Sequence, residues 1–424
     1  MLICRLDELN EDQKNKMFDR IGLLKTEEVL SSVEKIINDV KRYGDTAIRS
    51  FTEMYDGVSL SDFRVTEEEF EDALNRVDEK VFKALEVAYE NIKEFHERQL
   101  RGEWFYEKNG IKLGQITRPL ESVGCYVPGG GANYPSTVLM TVVPAKVAEV
   151  ERVVCVTPPK RDGYANEFTL AACTITDAKE VYKVGGAQAI AALTYGTESI
   201  PKVDKIVGPG NIYVTAAKKQ VFGDVAIDNP AGPSEVLIIA DETANAGFIA
   251  ADMVAQAEHD PNACSILVTS SQKVADEVKN ILENSEFERD ETEKALEENG
   301  AIILVGNINE AVKFSNEYAP EHLQIISSND EELLKKIRNA GSIFLGNFTP
   351  VACGDYASGT NHVLPTMGYA KVYSGLSVYD FIKLISVQRL EKEALEGLSD
   401  VLISLAEAEG LMAHAESVKK RVKK

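Results

Sequence analysis

A glutamine and a histidine lie close together near the end of one amphipathic segment, in the order Gln256-Ala257-Glu258-His259. If residues 245–259 are helical, Gln256 and His259 occupy positions i and i+3 on one face of the helix. Two nitrogen or oxygen donors on one face suit a metal ion. The same pattern also fits a polar helix end with a histidine near the negative pole of the helix dipole, so this segment alone leaves both interpretations open.

An acidic residue and a histidine are adjacent in Glu321-His322, directly after Pro320 at a predicted helix-to-strand junction. A carboxylate and an imidazole can divide the proton transfers of a reaction, one activating water and the other moving a substrate proton. A chance pair at a helix end is the alternative. Asp355 lies in the long polar, glycine-rich segment 347–368, which is predicted to be an irregular loop. In such a loop a carboxylate can face a ligand without crowding it or can bond its own backbone, as turn residues do.

Glu409 and His414 lie close to the C-terminal end of the chain. Their spacing does not place them on one helical face unless Gly410 bends or ends a helix, and two surface residues on a tail helix are the alternative. The sequence has no H-E-x-x-H motif and no cysteine cluster, so spacing alone does not define a zinc site. Taken together, four side chains offer the mixture of donors that suits zinc or another divalent first-row metal: Gln256, His259, Asp355 and His414.

Two glycine-containing turns follow predicted strands and precede predicted helices, at Gly129-Gly130-Gly131 and at Gly208-Pro209-Gly210-Asn211. Each could bring backbone amides close to a phosphate or to a nicotinamide ribose. Neither matches the G-x-G-x-x-G fingerprint of dinucleotide-binding folds. Tight strand-to-helix turns without a cofactor explain both patterns equally well.

The elements that must position these residues follow from the hydrophobic pattern. Five short apolar runs alternate with helical segments between about residues 120 and 228, and five more follow between 235 and 346. This spacing predicts an α/β fold with two similar Rossmann-like βα domains. The predicted regions are a helical N-terminal region with an Asn109-Gly110 hairpin (1–114), a first Rossmann-like domain (115–232), a second one (233–374) and a helical C-terminal tail that packs on a partner subunit (375–424).

The composition excludes some classes of function. The net charge is −22, which argues against nucleic acid as the main partner because phosphate binding needs clustered lysine and arginine. No apolar run approaches the roughly 20 residues of a membrane helix, and no secretory signal is visible. The six cysteines are scattered without a C-x-x-C pair, which predicts reduced thiols in a cytoplasmic protein. His96, in a polar segment, is predicted to be an exposed surface residue.

Eight segments appear in order between residues 115 and 414, and together they are far more specific than any one of them. They are QITRPLESVGCYVPGGGANYPSTVLM, VGGAQAIAAL, DKIVGPGN, AIDNPAGPSEVLIIAD, AQAEHDP, APEHLQI, GDYASGTNHVLPT and EGLMAH. This combination resembles the zinc-dependent L-histidinol dehydrogenases. The resemblance implies oxidation of L-histidinol to L-histidine through the aldehyde with two NAD⁺ in turn, as the last step of histidine biosynthesis. It also implies a homodimer in which the tail of one subunit completes the active site of the other.

The resemblance assigns roles to individual residues by motif match. The zinc ligands it implies are Gln256, His259, Asp355 and His414, with His414 donated by the partner chain. The implied contacts to the substrate L-histidinol are Ser234, Gln256, His259, His322, Asp355, Glu409 and His414. The implied NAD⁺ contacts are Tyr126, Gln188 and Asn211. Glu321 would be the base that activates water in the second step, and His322 would accept the alcohol proton in the first step and assist in the second.

Three other functions remain open at this level. The first is oxidation of a different small alcohol by an NAD-dependent zinc enzyme on the same scaffold. The second is a zinc hydrolase in which Glu321 activates metal-bound water, which would be active without NAD⁺ and gives no reason for two βα arrays. The third is a metal-stabilised binding protein without turnover.

Overall fold

The computed structural model of the chain describes residues 1–18, 20, 27–129 and 133–422. They form two compact units. Met1–Gln99 and Leu120–Phe381 make up the first, which we call the α/β unit, and Leu100–Pro119 and Ile382–Lys424 make up the second, which we call the hairpin–tail unit. The four regions predicted from the sequence remain a prediction as domain boundaries.

In chain order, the strands of the described residues are β1 (Leu2–Arg5), β2 (Trp104–Lys108), β3 (Ile111–Pro119), β4 (Ser122–Tyr126), β5 (Arg152–Thr157), β6 (Glu180–Lys183), β7 (Lys205–Val207), β8 (Ala226–Ile227), β9 (Glu235–Ala240), β10 (Cys264–Thr269), β11 (Gly300–Leu304), β12 (His322–Ile326), β13 (Ser342–Leu345) and β14 (Ile382–Leu390). The helices are α1 (Glu11–Phe18), α2 (Glu27–Tyr43), α3 (Asp45–Asp56), α4 (Glu67–Arg76), α5 (Glu79–Glu97), α6 (Pro135–Val147), α7 (Glu167–Ile175), α8 (Gly186–Tyr195), α9 (Ile212–Val221), α10 (Ala246–Ala257), α11 (Gln272–Glu283), α12 (Asp290–Asn299), α13 (Ile308–Tyr318), α14 (Asp330–Leu334), α15 (Val351–Tyr356), α16 (Lys392–Ala408) and α17 (Met412–Val422).

Two parallel sheets form the centre of the α/β unit. The first has the strand order β6-β5-β4-β7-β8, and the second has the order β1-β11-β10-β9-β12-β13. Apart from β1 at its edge, the second sheet repeats the strand order of the first. In each sheet the direction in which successive strands are added reverses once, between β4 and β7 in the first sheet and between β9 and β12 in the second. Such a reversal is the topological switch point of doubly wound folds. The predicted α/β fold with two successive parallel βα arrays is therefore confirmed.

The central strands of the second sheet are almost entirely buried and mostly apolar because helices cover both faces of the sheet. All six residues of β9 are buried. Ile238 belongs to the same buried cluster as Ile249 of α10, whereas Ile239, one residue on, belongs to the cluster that contains Phe314 of α13. The alternation follows from the two-residue period of a strand. Both faces of the second sheet are therefore packed, and its edges are where polar side chains can meet.

The N-terminal region contains one element that the sequence did not predict. Leu2–Arg5 forms β1, which pairs in parallel with β11 at the edge of the second sheet. The prediction of an entirely helical start is wrong here, because four residues are too few for a strand pattern and the pairing partner lies about 300 positions away. The helices that follow match the prediction, and Thr66 and Glu69 form a capping box at the start of α4.

The hairpin–tail unit is built on an antiparallel sheet in the order β14-β3-β2. Asn109 and Gly110 both have positive φ, as a two-residue hairpin turn requires. β14 pairs with β3 from Ile382 opposite Pro119 to Leu390 opposite Ile111, so the prediction that the chain is helical throughout this segment is wrong. The helices α16 and α17 follow. Among the described residues, no helix has the length and apolar character needed to cross a membrane.

Candidate active site

Two buried carboxylates lie side by side at the amino edge of the second sheet. β9 and β12 are neighbours and their register pairs Val236 with His322, so Glu235 and Glu321 come together just before the paired residues. The Glu235 N–H donates to Glu321 Oε2 at 2.8 Å, and the Glu321 N–H donates to Glu235 Oε1 at 3.2 Å. Ligands of doubly wound sheets usually bind at the carboxyl edge of the sheet. The two carboxylates lie at the other edge, formed by the amino ends of the strands.

Arg20 neutralises one of the two carboxylates. Its Nη1 forms a buried ion pair with Glu235 Oε2, and its Nη2 donates to the carbonyl of Tyr318 at 2.6 Å. The guanidinium carbon also lies 3.6 Å from the centroid of the Tyr318 ring. A buried charge needs a partner of this kind, because desolvation of an unpaired carboxylate costs several kcal/mol. Burial raises the pKa of Glu235 overall, with Arg20 acting in the opposite direction.

Glu321 and His322 lie at the predicted helix-to-strand junction, since α13 ends at Tyr318 and β12 begins at His322. Burial raises the pKa of Glu321 to about 8, although the neighbouring His322 lowers it in part. His322 Nδ1 lies 3.2 Å from the carbonyl oxygen of Glu235. A carbonyl only accepts, so Nδ1 carries the hydrogen and donates it. In the neutral ring, this leaves the lone pair on Nε2.

His322 Nε2 faces Asp355. The nitrogen is buried, has no hydrogen-bond partner among the described residues, and lies 3.5 Å from Asp355 Oδ1. Burial lowers the pKa of His322, but the carboxylates of Glu321 and Asp355 outweigh burial and raise it to about 9. Burial in turn raises the pKa of Asp355, and the nearby imidazole of His322 outweighs burial, so that this pKa is lowered.

Asp355 belongs to a short helix, α15, within a segment that was predicted to be an irregular loop. α15 packs closely on β13, because a Cβ on Gly354 would lie only 2.7 Å from the ring of Phe344. The same ring lies 5.9 Å from that of His322. His362 Nδ1 donates to the carbonyl of Asp355 at 2.9 Å. Because Gly354 has no side chain, α15 can approach β13 closely enough to bring Asp355 towards His322.

The Gln256–His259 segment is placed by α10, which ends at Ala257. Gln256 is buried in the last turn, whereas His259 lies beyond the helix and is exposed. The condition stated from the sequence, a helix that continues to His259, is therefore not met, because α10 ends at Ala257. His259 is nevertheless close enough to Asp355 to contribute to the lowering of its pKa. Ser234, the residue before β9, is half-buried.

The described residues of the α/β unit offer an incomplete set of metal donors. Among all described residues, no three or more histidine, cysteine, aspartate or glutamate side chains are grouped closely enough to hold a metal ion. The amide of Gln256, the imidazole of His259 and the carboxylate of Asp355 are chemically suited to zinc. The buried, unpartnered His322 Nε2 beside Asp355 also fits a site designed for a polar ligand. One further donor would complete a tetrahedral set.

Glu409 and His414 belong to the hairpin–tail unit. Glu409 is the C-terminal cap of α16 and His414 lies in the first turn of α17, and both are exposed. Gly410 between them has a φ of 75° and separates the two helices. If Glu409 and His414 are to act together, the sequence requires that Gly410 bend or end a helix. The chain meets this requirement, because α16 ends just before Gly410.

The three predicted NAD⁺ contacts lie at the carboxyl edge of the first sheet. Tyr126 ends β4, Gln188 lies in the first turn of α8, and Asn211 caps α9. Tyr126 and Asn211 therefore flank the switch point between β4 and β7. The Tyr126 hydroxyl accepts from the Gly186 N–H at 3.1 Å, and burial raises its pKa to about 12. Of the other predicted glycine turn, 129–131, residues 130 and 131 lie outside the described residues.

His96 is a residue that sequence reasoning placed wrongly. It is fully buried, its Nδ1 donates to the carbonyl of Ile92 at 2.7 Å, and its Nε2 lies 3.4 Å from Asn361 Nδ2, next to His362. The signal was present, because Leu85, Ala88 and Ile92 form an apolar face of α5 that continues to position 96. Glu235 was missed as well, and its signal was an acidic residue at the head of an otherwise apolar strand.

Comparisons with known proteins identify the family of this chain. The sequence model of the histidinol dehydrogenase family matches residues 22–422. The chain is 55% identical to a histidinol dehydrogenase of Methanocaldococcus jannaschii, covering 100% of this chain and 99% of the relative, and 54% identical to one of Archaeoglobus fulgidus, covering 94% and 96%. It is similar to a crystal structure of histidinol dehydrogenase from Elizabethkingia anophelis, with a TM-score of 0.94, 39% identity and coverage of 100% and 98%. The matches span nearly the whole chain at high identity, and the chain therefore belongs to the histidinol dehydrogenase family.

Proposed function

We propose that this chain oxidises L-histidinol to L-histidine through L-histidinaldehyde with two NAD⁺, as the final step of histidine biosynthesis. The observation that carries the proposal is the buried pair Glu321 and His322 beside Asp355, in a member of the histidinol dehydrogenase family. The pair provides two proton-transfer groups with different environments. A reaction that oxidises first an alcohol and then an aldehyde needs two such groups.

Zinc would be held by Gln256, His259 and Asp355 together with His414 of the partner subunit. When bound, zinc supplies positive charge that orients the substrate's imidazole and amino nitrogens, and NAD⁺ supplies the hydride acceptor. Ser234, His322 and Glu409 would contact the substrate alongside the zinc ligands. Tyr126, Gln188 and Asn211 would lie on the NAD⁺ side.

His322 is the base of the first step. Its Nδ1–H is engaged by the Glu235 carbonyl, so in the neutral ring Nε2 is the nitrogen that takes the proton of the substrate hydroxyl. Because the pKa of His322 is raised to about 9, the neutral ring becomes the main form only as pH rises through that value. The bond to a backbone carbonyl also fixes the orientation of the ring. Because Nε2 has no partner among the described residues, accepting a proton there breaks no hydrogen bond within the described chain.

Glu321 is the base of the second step. Its ionised carboxylate takes a proton from the water molecule that adds to the aldehyde carbon. Burial favours the neutral acid and so raises the pKa of Glu321, which makes the carboxylate a stronger base than an exposed glutamate. The described chain needs no cysteine nucleophile for this step, since water takes that role.

The chain acts as a homodimer in which the hairpin–tail unit meets a second copy. None of the 17 residues of α16 is buried, although the helix has an apolar face. Large apolar side chains of this unit are exposed, among them Trp104, Phe105, Tyr106, Ile385, Val401 and Leu405. Exposed apolar surface of this extent is typical of a protein interface, and its aromatic side chains are of the kind that anchor such contacts. The second copy would receive Glu409 and His414.

Removal of zinc is expected to abolish NADH formation and addition of zinc to restore it. Dialysis against a chelator followed by zinc add-back, with histidinol and NAD⁺ as substrates, measures both effects. A zinc hydrolase would instead release product without NAD⁺, and a metal-stabilised binding protein would never produce NADH. Faster NADH formation from another small alcohol than from histidinol would favour a different dehydrogenase on the same scaffold, so other alcohols serve as the substrate control.

A further inference from the structure

A buried ion pair lies beneath the turn that joins β7 to α9, among residues to which the proposed function gives no role. Lys218 of α9 pairs through Nζ with Oδ1 of Asp228, the residue after β8. Their side chains are only 5% and 2% exposed. The pair therefore connects the helix that follows β7 with the strand that neighbours it.

Both members of the pair hold the backbone of one glycine in that turn. The Gly208 N–H donates to Asp228 Oδ2 at 2.8 Å, and Lys218 Nζ donates to the Gly208 carbonyl at 2.9 Å. Gly208 has a φ of +117°, a conformation that other residues rarely adopt, and a Cβ at this position would lie 2.2 Å from the carbonyl oxygen of Tyr126. The ion pair thus fixes the conformation of a glycine that packs directly against the end of β4.

The position of this glycine is what gives the ion pair a role beyond packing. Gly208 lies at the switch point between β4 and β7, between Tyr126 and Asn211, where a doubly wound sheet binds its ligand. A buried ion pair contributes little to stability compared with apolar residues of similar size. Its two charged groups instead satisfy the N–H and the C=O of a residue at the ligand-binding edge.

We propose that Lys218 and Asp228 are positioning residues that hold the Gly208 turn in the shape that NAD⁺ binding requires. The pair acts through Gly208 and does not contact the cofactor. This role rests on the proposed function, since it assumes that the carboxyl edge of the first sheet binds NAD⁺.

The test is calorimetric titration of the full-length protein with NAD⁺. Lys218→Met keeps the length of the side chain and removes the donor to Gly208, and we expect it to weaken NAD⁺ binding about tenfold, or about 1.4 kcal/mol. The double variant Lys218→Met/Asp228→Asn leaves no unpaired buried carboxylate, so it retains the fold if the single variant does not, and it is expected to lose affinity to a similar extent. In turnover, KM for NAD⁺ rises while KM for histidinol and kcat change little.

Lys205→Met is the matched control. Lys205 starts the same strand, β7, and its Nζ lies 2.9 Å from Asp380 Oδ1, but at the opposite edge of the sheet. It is expected to lower the melting temperature without changing NAD⁺ affinity. Folded Lys218 variants that bind NAD⁺ as the wild type does, or an equal loss in Lys205→Met, would overturn the role of the ion pair. Wild-type protein that fails to bind NAD⁺ would contradict the proposed function itself.

Discussion

Replacement of Glu321 by glutamine is expected to block oxidation of the aldehyde and to spare oxidation of histidinol. Glutamine keeps the size of the side chain and its place beside Glu235 but cannot take a proton from water. General base catalysis contributes about 10²–10⁴-fold, so we expect a loss of that order in the second step. Single-turnover assays, one started with histidinol and one with histidinaldehyde, measure the two steps separately.

The pH dependence of the aldehyde step follows from the same group. The pKa of Glu321 is raised to about 8, so the carboxyl group is mostly protonated at neutral pH and becomes an effective base only as pH rises through about 8. kcat/KM for the aldehyde should therefore increase over that range, since it reports ionisation in the free enzyme. A step that is already at its maximum at pH 7 would contradict this assignment.

His322→Asn is the counterpart to Glu321→Gln. It removes the proton acceptor at Nε2, and we expect it to slow the alcohol step, with a weaker effect on the aldehyde step in which His322 only assists. Both variants alter neighbouring positions at the same edge of β12, so each controls for local damage by the other. Equal losses of both half-reactions in Glu321→Gln would refute the division of labour.

Mixed dimers of two inactive variants are expected to recover activity. If each site combines His259 of one chain with His414 of the other, His259→Ala and His414→Ala homodimers each have two broken sites. A mixed dimer has one site with both changes and one site with neither. Random mixing of equal amounts should then restore about one quarter of the wild-type activity, because half of the dimers are mixed and each has one intact site.

The control for the mixed dimers is subunit exchange itself. Two tags of different mass, one on each variant, allow the mixed dimer to be isolated and assayed directly. Lack of activity in that isolated species would show that His259 and His414 serve the same chain. The control species is the mixed dimer of wild type with a double variant that carries both changes, isolated through the same tags. Neither of its two sites is fully intact, so it gives the background activity.

The sequence predicted the parallel sheets and the edge residues because their signals are local. Apolar runs such as that of β9 are readable without a partner, and Glu321-His322 stands out at the head of such a run. The glycine turn at Gly208 was also visible. The role of this turn was not visible, since the ion pair that holds it joins Lys218 and Asp228, which belong to two different elements.

The elements that the sequence missed depend on partners far along the chain. β14 is a strand because β3 lies beside it, more than 260 positions earlier, and the same holds for β1 and β11. The ion pair of Arg20 with Glu235 follows the same rule. The burial of His96 and the helix around Asp355, by contrast, depend on local sequence. The burial of His96 was readable from the helical period of α5.

The most direct test of the proposed reaction is the amount of NADH formed per histidinol consumed. Conversion of a primary alcohol to a carboxylate removes four electrons, and each NAD⁺ accepts two. The proposal predicts two NADH for each histidinol, with L-histidine as the product and no accumulation of free aldehyde. One NADH per histidinol, with histidinaldehyde as the product, would contradict it.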